Sequence, residues 1–536
     1  MRSRWLVIWG LIVFPLGAPQ ADDDYDFIVR NARIVDGTGN PWFRADVGVL
    51  DGTIAAVAPT IAGSAPIIID AADRVLAPGF IDIHTHVESS SSRDGLEQLP
   101  RADNYILDGV TTIVTGNCGS SEIDLAAYRN RLTDLGLNVA TLIGHNSVRR
   151  AVMGRENRAP TPEELTEMEE LVARAMQEGA VGLSTGLLYV PGTYASTDEV
   201  VQLARVAASH GGIYASHIRE QAERLHQSIE EAVHIGREAG IPVQISHFKV
   251  KDPKRWGTIG DALALVERYR EAGIDVTIDA YPYARASTNL GVNLPRWAVA
   301  GARADIADRI LDGQSRARIV AEMKQKLELG GYADYSFATV AQYAPNPELN
   351  GMTISDINAL SGREQSIEAE IDTILEMMLE GADAGYLYGA QMIYHYMSVE
   401  DVDTIFRYPH TAVASDGSIT AFGRGKPHPR SYGTNARVLK DLVRERGVLS
   451  LEDAVRRMTS LPASRFGFGG RGMVAPGYVA DLVLFDPAEV NDPATYEDPH
   501  QYAVGFDYVW VSGEAVVADR KVSNARPGRF LAQQRD

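Results

Sequence analysis

The chain has 536 residues, a formal net charge of −20 and a single cysteine. A protein with this charge does not attract polyanions, so we expect neither a nucleic acid nor an anionic membrane as a partner. One cysteine cannot form an intramolecular disulfide, whatever the redox compartment. The length is more than one compact domain usually needs, so additional domains or insertions are expected.

Residues 1–21 have the pattern of a secretory signal peptide. Arg2 and Arg4 precede an apolar run from Trp5 to Gly17, and a small residue stands just before three aspartates. The apolar run is short for a membrane span, and an uncleaved anchor in the inner membrane is the alternative. We therefore expect an exported, periplasmic protein with no membrane partner after signal cleavage.

The two ends of the remaining chain, residues 22–77 and 466–536, both contain alternating apolar and polar residues typical of strands. Neither end contains enough apolar strand to be stable alone. We therefore predict that they pair into one small β-sandwich domain. The candidate strands are 27–35, 46–50, 53–57, 480–485 and 508–517.

Between these ends, residues 78–465 contain eight short apolar runs, most of them separated by segments of helical period. Short buried strands that alternate with helices predict an α/β fold, a (β/α)8 TIM barrel. A long stretch after the seventh run, about residues 298–405, has helical segments of its own and indicates a folded insertion. The eight runs are 78–86, 110–118, 139–145, 180–186, 212–217, 242–247, 275–281 and 411–416.

Several of these runs end in side chains that bind metals. His84 and His86 are two residues apart, so on a strand both point to the same face. Taken alone, such a pair is equally compatible with two polar residues on a wet surface. In a parallel barrel, however, the strand ends meet at one rim, where the active sites of this fold lie. The residues that share this position and a ligand-type side chain are His84, His86, Cys118, His217, His247 and Asp416.

Longer motifs around these positions resemble those of the amidohydrolase superfamily and, within it, of the D-aminoacylases (N-acyl-D-amino-acid deacylases). The resemblance covers nearly everything from about residue 25 to the C-terminus. The discriminating motif is Gly116-Asn117-Cys118-Gly119. Many relatives bridge two metals with a carboxylated lysine on the fourth strand, and here that strand, 182–186, has no lysine. The other motifs are PGFIDIHTH (78–86), GLSTGLLY (182–189), SH (216–217), SHFK (246–249), DAYPY (279–283), SDG (415–417) and HPRSYGT (428–434).

The resemblance implies that Cys118, His217 and His247 hold one tightly bound zinc ion. Thiolate and imidazole suit this ion, and three protein ligands leave a position for water, as catalytic sites need. The pKa of water bound to such a zinc falls to about 7.

A second group lies beside this zinc in the family. It consists of His84, His86 and Asp416, which make a second, weaker metal site or serve the first one. Asp416 is the candidate catalytic residue, a base that accepts the proton of water and an acid that returns it to the leaving amine. Its alternative is a purely structural carboxylate at a strand end.

The same resemblance implies the substrate contacts. Lys249, Arg430 and either Tyr281 or Tyr283 match positions that hold the substrate's α-carboxylate, which an arginine can grip through two parallel hydrogen bonds. Tyr189 matches a tyrosine near the scissile carbonyl. Each of these side chains is also compatible with a surface charge or a packed aromatic.

Three other residues lie near the motifs without a clear role. His145 ends the third run, but the family does not use it as a ligand, so we expect it to support the site from outside. Arg285 and Arg296 depart from the usual small-residue pattern. They are compatible with a pocket for an acidic D side chain, although exposure to solvent is the favoured interpretation.

The resemblance implies a zinc-dependent hydrolase that converts an N-acyl-D-amino acid into a carboxylic acid and a free D-amino acid. The nearest alternative is a dipeptidase for L-Xaa-D-Xaa peptides, which needs an acid for the substrate's ammonium that the sequence does not locate. A hydrolase of cyclic amides or lactones is a third candidate. A non-catalytic homologue is disfavoured because all six ligand residues are present. The side chain, the acyl group, the second metal's occupancy and the oligomeric state stay open, and the D preference rests on the resemblance alone.

Overall fold

The computed structural model describes residues 25–89 and 94–532, so the predicted signal peptide lies outside the described residues. Within the described part of the chain, no helix is both long and apolar enough to cross a bilayer. The strands are β1 (Phe27–Ile34), β2 (Phe43–Leu50), β3 (Thr53–Ala58), β4 (Ile67–Asp70), β5 (Val75–Pro78), β6 (Phe80–Asp82), β7 (Thr85–His86), β8 (Val110–Thr115), β9 (Asn138–Thr141), β10 (Ile143–Gly144), β11 (Gly182–Gly186), β12 (Ile213–His217), β13 (Val243–Ile245), β14 (Val276–Ala280), β15 (Arg285–Asn289), β16 (Ala338–Gln342), β17 (Gln391–His395), β18 (Thr411–Val413), β19 (Gly417–Ser418), β20 (Leu482–Phe485), β21 (Phe506–Val511), β22 (Glu514–Ala518) and β23 (Lys521–Val522).

Most of the helices follow barrel strands or lie in the insertion. They are α1 (Asp103–Ile106), α2 (Leu125–Arg131), α3 (His145–Met153), α4 (Pro162–Gln177), α5 (Thr197–Ser209), α6 (Leu225–Ala239), α7 (Ile259–Glu271), α8 (Arg303–Leu311), α9 (Gly313–Gly330), α10 (Ile354–Leu360), α11 (Ile367–Asp383), α12 (Val399–Arg407), α13 (Arg430–Arg437), α14 (Leu451–Met458) and α15 (Ser460–Phe466), with a π-helix at Val438–Glu445. Local signals explain their ends. Thr161 and Glu164 form a reciprocal capping box that starts α4, and Gly240 in the left-handed conformation ends α6.

Both chain ends contribute to one nine-stranded sheet of order β23-β22-β21-β20-β5-β1-β2-β3, with β4 paired to β1. The antiparallel pair of β20 and β5 joins the two ends. In a flat sheet β1 and β21 would lie about 14 Å apart. The rings of Phe27 and Trp510 on these strands nevertheless stack with centroids 5.2 Å apart. The sheet therefore folds over on itself around its own core, as the predicted sandwich requires.

Each of the eight predicted runs contains a parallel barrel strand. β6, β8 and β9 are neighbours, and β10 to β14 continue the order to β18. β9 and β10 are successive pieces of the third strand, and the parallel pair of β19 with β7 joins the eighth strand to the first. Alternate strand residues, such as Ile113 and Val114, belong to separate buried clusters, because one set faces the helices and the other fills the barrel. The predicted α/β class and the barrel are confirmed.

The insertion lies between β14 and α12 and has its own hydrophobic core, which includes Ile319, Met323 and Ile374. It combines the antiparallel sheet β15-β17-β16 with α8 to α11. Its sheet begins at Arg285, upstream of the start near residue 298 that the sequence suggested, because β15 pairs with β17 along its whole length. The domain boundaries at 77/78 and 465/466 stay predictions.

Candidate metal centre and substrate cavity

The structure brings the six predicted donor residues together at the barrel rim. The Sγ atom of Cys118 lies 3.4 Å from His84 Nε2 and 3.5 Å from both His217 Nδ1 and His247 Nε2. The two last nitrogens face each other at 2.7 Å. Three overlapping trios of these side chains each have ligand atoms within 4.8 Å of one another: His84, His86 and Cys118; Cys118, His217 and His247; His84, His247 and Asp416.

Asp416 connects this cluster to the substrate side. Its Oδ1 atom lies 3.1 Å from His86 Nε2 and 3.5 Å from His84 Nε2. Its other oxygen, Oδ2, is 2.9 Å from Nη1 of Arg430. One carboxylate therefore contacts both the candidate metal ligands and the candidate carboxylate clamp.

Three of the donors have a backbone conformation that is rare outside glycine. The φ angles of Cys118, His247 and Asp416 are +53°, +36° and +50°. A left-handed conformation costs a residue with a Cβ about 1–2 kcal/mol. At a strand end it turns the side chain back over the barrel mouth, and such strain is common at functional sites.

The glycines of the Gly116-Asn117-Cys118-Gly119 loop allow this turn. Both have positive φ angles of +76°. A Cβ on Gly116 would lie 2.1 Å from the carbonyl oxygen of Leu142, and one on Gly119 would lie 2.1 Å from Asn146 Oδ1. Either contact would push the loop, and the thiol with it, out of the cluster. The close packing explains why this motif needs glycine on both sides of Cys118.

Neighbouring polar groups orient the histidines. Gln221 Nε2 lies 3.3 Å from His247 Nδ1, and the backbone N–H of His247 donates to Asp279 Oδ1 at 2.6 Å. The same Asp279 oxygen is 3.4 Å from His84 Nδ1. The contact of His84 Nδ1 with the Asp279 carboxylate leaves Nε2 for a ligand, because a metal-binding histidine usually donates its other ring N–H to an acceptor.

Electrostatics in the cluster oppose the effect of burial. Burial raises the pKa of the Cys118 thiol, but the neighbouring histidines, His84 first, bring it well below its ordinary value. Burial also raises the pKa of Asp416, but the charge of Arg430, together with the neighbouring histidines, brings it well below its ordinary value. Burial and a neighbouring histidine lower the pKa of His217 to about 3. For Cys118, Asp416 and His217 the favoured forms are those that bind metals. Burial lowers the pKa of His84 and His86, but Cys118 and Asp416 more than reverse this shift and raise both pKa values.

A cavity of about 630 Å³ opens above the cluster, between the barrel mouth and the insertion. Four of the five predicted substrate residues line it: Tyr189, Lys249, Tyr281 and Arg430. The Arg430 guanidinium lies 4.7 Å, and the Lys249 ammonium 5.4 Å, from the centre of the Tyr281 ring. The buried Tyr281 hydroxyl has no partner among the described residues, so it is free to donate to a bound molecule. The Tyr189 ring contacts that of His217, with centroids 4.8 Å apart.

The structure places the remaining candidates outside this cavity. The Tyr283 hydroxyl donates to Asp492 at 3.1 Å, so Tyr281 is the member of the pair that faces the cavity. His145 Nε2 lies 2.9 Å from the buried carboxylate of Glu199, away from the donors. The guanidinium of Arg285 stacks on an aromatic ring outside the cavity.

Arg296 lies closer to the site than expected, since the sequence favoured an arginine exposed to solvent. It is only partly exposed, donates to the carbonyl of Arg219 at 3.0 Å and lines a second cavity of about 350 Å³. The two cavities share lining residues, including Tyr189 and Lys326, so they adjoin.

Sequence reasoning missed several residues that position the site. His428 lines the cavity, its Nδ1 accepts the backbone N–H of Arg430 at 3.1 Å, and its Nε2 lies 3.0 Å from the carbonyl of Arg285. It therefore holds the chain that carries the candidate clamp. Asp279 and His428 begin the motifs DAYPY and HPRSYGT, so the sequence could have identified them as site residues. Gln221 and Asn146 lie in no such motif and are identified only by their contacts.

Comparison with known proteins agrees with this geometry. The sequence profile of the Amidohydrolase family matches residues 68–322 and 361–517. D-aminoacylase of Alcaligenes xylosoxydans xylosoxydans is 35% identical over 95% of this chain and 98% of its own, and N-acyl-D-aspartate deacylase of the same organism is 35% identical over 95% of both chains. A solved N-acyl-D-glutamate deacylase from Bordetella bronchiseptica, complexed with zinc and a phosphonate inhibitor, superposes with a TM-score of 0.77 at 34% identity and covers 95% of this chain and 100% of its own. The chain belongs to the amidohydrolase family and, within it, to the D-aminoacylases.

Proposed function

We propose that this protein is a zinc-dependent hydrolase of N-acyl-D-amino acids, which releases a carboxylic acid and a free D-amino acid. The observation that carries the proposal is the contact between Asp416, the donor cluster and Arg430 at the floor of one cavity. A proton-transfer group, a metal site and a carboxylate-binding group are thus combined in one place. The solved relative, which was complexed with zinc and a phosphonate, supports the same reaction class.

The donor set fits zinc. Cys118, His217 and His247 supply one thiolate and two imidazole nitrogens, which suit a borderline-soft ion, and we assign them the tightly bound zinc. We assign the second, weaker site to His84, His86 and Asp416. When bound, zinc supplies Lewis-acid polarisation of the scissile carbonyl and of water.

The protein's own groups account for the proton transfers. Asp416 accepts a proton from the attacking water and returns it to the leaving nitrogen, because an unprotonated amine is a poor leaving group. Its contact with His86 and Arg430 stabilises the carboxylate form that begins this cycle. Tyr189, next to the His217 ring, donates to the carbonyl oxygen as negative charge develops there.

Substrate orientation comes from the basic and aromatic groups beside Asp416. Arg430, Lys249 and the hydroxyl of Tyr281 converge and bind the α-carboxylate of the amino acid. This contact holds the amide over Asp416 and raises its effective concentration at the reacting groups.

The dipeptidase alternative gains one observation. Glu220 and Asp252 line the cavity, so acids for a substrate ammonium are available after all. Lys251 and Lys326 line the same region. Burial lowers the pKa of Lys326, and the charges of Asp252 and Glu220 partly oppose this shift, so the two acids already interact with a lysine. This mixed charge gives a free ammonium less attraction than an uncompensated acid would, so the acyl-amino acid remains the better substrate.

We also propose that the chain is exported to the periplasm, on the basis of the signal-like residues 1–21. The mature protein would then begin near residue 22, with the sandwich formed by residues 22–77 and 466–536 around the barrel of 78–465. N-terminal sequencing of the protein recovered from a periplasmic fraction tests this directly. An intact N-terminus in the membrane fraction would favour the inner-membrane anchor instead.

The test of the activity is purification, metal analysis and a screen of N-acetyl amino acids and dipeptides in both enantiomeric series. We expect at least one zinc per chain and hydrolysis of the N-acetyl-D series. Faster hydrolysis of the L series would leave the zinc mechanism standing and remove the D assignment. Activity on lactones or cyclic amides alone would overturn the proposed substrate class.

A further inference from the structure

The cavity has a charge opposite to that of the protein. The chain as a whole has a net charge of −20. The cavity lining, in contrast, contains seven lysines and arginines against three aspartates and glutamates. Its positive field therefore favours anions. One substrate α-carboxylate needs only Lys249 and Arg430, which lie beside the metal centre at the inner end of the cavity. The remaining cations of the lining require a separate explanation.

Two of these cations, Arg150 and Arg155, lie on the side of the cavity next to Tyr388, which we call the outer wall. Neither forms an ion pair with a carboxylate of the described residues. Two acids that could serve them are already engaged, because Glu199 pairs with Arg149 and Glu156, the neighbour of Arg155 in sequence, pairs with Arg158. Loss of solvent, followed by the charge of Arg155, lowers the pKa of Arg150. Two like charges therefore line one cavity and act on each other, and neither is paired with an anion of the described residues.

The pair is built into the wall. Arg155 donates from Nε to the carbonyl of Gly301 at 2.8 Å and from Nη2 to the Tyr388 hydroxyl, and its guanidinium lies 5.2 Å from the centre of that ring. Arg150 donates to Ser147 Oγ at 3.3 Å. Each guanidinium still has N–H groups without an acceptor among the described residues.

The position of α3 relates the pair to the metal centre. Asn146, in the first turn of α3, donates to the carbonyl of Gly186 at 3.0 Å and packs against Gly119, beside the candidate ligand Cys118. Arg150 follows one helical turn later, about 6 Å farther along the axis. Both arginines line the same cavity as Cys118 and Asp416, so one bound molecule can contact the pair and the metal centre together.

We propose that Arg150 and Arg155 form a second carboxylate subsite, so that the preferred substrates are dianionic N-acyl-D-amino acids. A carboxylate accepting from both guanidiniums removes their mutual repulsion and forms charge-assisted hydrogen bonds. The second carboxylate comes from an acidic side chain, as in D-glutamate or D-aspartate, or from a dicarboxylic acyl group such as succinyl. This inference rests on the proposed function, since it assigns the substrate class of the same site.

The test compares matched substrates on the zinc-loaded enzyme and its Arg150→Met variant. The pairs are N-acetyl-D-glutamate with N-acetyl-D-glutamine, and N-succinyl-D-leucine with N-acetyl-D-leucine. We expect at least one diacid to be preferred by about tenfold or more, and Arg150→Met to abolish most of that preference while changing the neutral partner little. The pair that responds identifies the source of the carboxylate. Arg129→Met, at an exposed arginine of α2, is the control and should leave both ratios unchanged.

A binding measurement separates this inference from the proposed function. Calorimetry with glutarate and butyrate should show tighter binding of the dicarboxylate by the zinc-loaded wild-type protein, and loss of that difference in Arg150→Met. If no N-acyl amino acid is hydrolysed but this difference is found, the subsite stands and the proposed function fails. Equal losses on diacid and neutral substrates, or a wild-type preference for the neutral ones, would overturn the subsite.

Discussion

The inner end of the cavity takes its polar groups from the ends of barrel strands, whereas the outer wall takes most of its groups from the insertion. At the inner end, the side chains of Cys118, His247 and Asp416 are held by the backbone itself, because the ends of the barrel strands impose positive φ angles on these residues. At the outer wall, Tyr388 packs on the separate hydrophobic core of the insertion, and its hydroxyl accepts from Arg155, which follows α3 of the barrel. The difference teaches that the chemistry and the choice of substrate are separable in this molecule. Changes at the inner end should alter metal content and turnover, and changes at the outer wall should alter selectivity.

The largest effect is expected from Asp416→Asn. The substitution keeps the shape of the side chain but removes the proton acceptor, and the loss of a general base typically lowers kcat about 10²–10⁴-fold. Steady-state kinetics, with metal analysis and circular dichroism of the same sample, measure this loss in a folded, zinc-loaded protein. Retention of most of the turnover would show that another group moves the proton.

Arg430→Met tests whether the inner end also recognises the α-carboxylate. Truncating one partner of a buried charge pair costs about 2–5 kcal/mol, which should appear in kcat/KM for N-acyl-D-amino acids. The loss should be much smaller for an N-acyl-D-amino acid amide, which has no α-carboxylate to bind. With that substrate the substitution affects only the ion pair between Arg430 and Asp416. Equal losses on both substrates would contradict the clamp.

Cys118→Ser should reduce both bound zinc and activity by about tenfold or more. Serine is not deprotonated at neutral pH and is a poor replacement for a thiolate ligand. Inductively coupled plasma spectrometry on the purified variant measures the zinc. Normal zinc content with normal turnover would remove Cys118 from the metal site.

A pair of glycine substitutions tests whether the backbone fixes the inner end. Gly119→Ala and Gly154→Ala both place a Cβ on a residue with a positive φ, which strains the backbone and lowers the free energy of unfolding in both variants. Gly154 has open space around its Cβ position, whereas the Cβ on Gly119 would lie 2.1 Å from Asn146 Oδ1. We expect only Gly119→Ala to lose zinc as well as stability. Matched zinc contents in the two variants would show that the loop adapts.

The smallest effect is expected at the outer wall, from Tyr388→Phe. The substitution removes one hydroxyl that accepts from Arg155, and a single hydrogen bond contributes about 0.5–1.5 kcal/mol. KM for diacid substrates should rise roughly two- to tenfold, with kcat and the zinc content unchanged. A drop in kcat for neutral substrates would mean that the two ends of the cavity are not separable.

The barrel and its donor residues could be predicted because both depend on local patterns. Apolar runs of strand length, separated by helical segments, specify the barrel, and its parallel strands bring their carboxyl ends to one rim. Residues such as His84, Cys118 and His217 are thereby placed near one another without any knowledge of the loops. The pairing of the chain ends followed from the same reasoning, since neither end could bury its apolar strands alone.

Only the tertiary structure decided the rest, because those features depend on contacts between distant segments. It separated Tyr281, in the cavity, from Tyr283, which donates to Asp492 more than two hundred residues away. It also revealed a sheet in the insertion that the sequence did not predict, and this sheet begins at Arg285, where β15 pairs with β17. The lack of an ion pair for Arg150 and Arg155 within residues 25–89 and 94–532 is likewise invisible in sequence, since whether a cation has a partner depends on the packing of the insertion against the barrel.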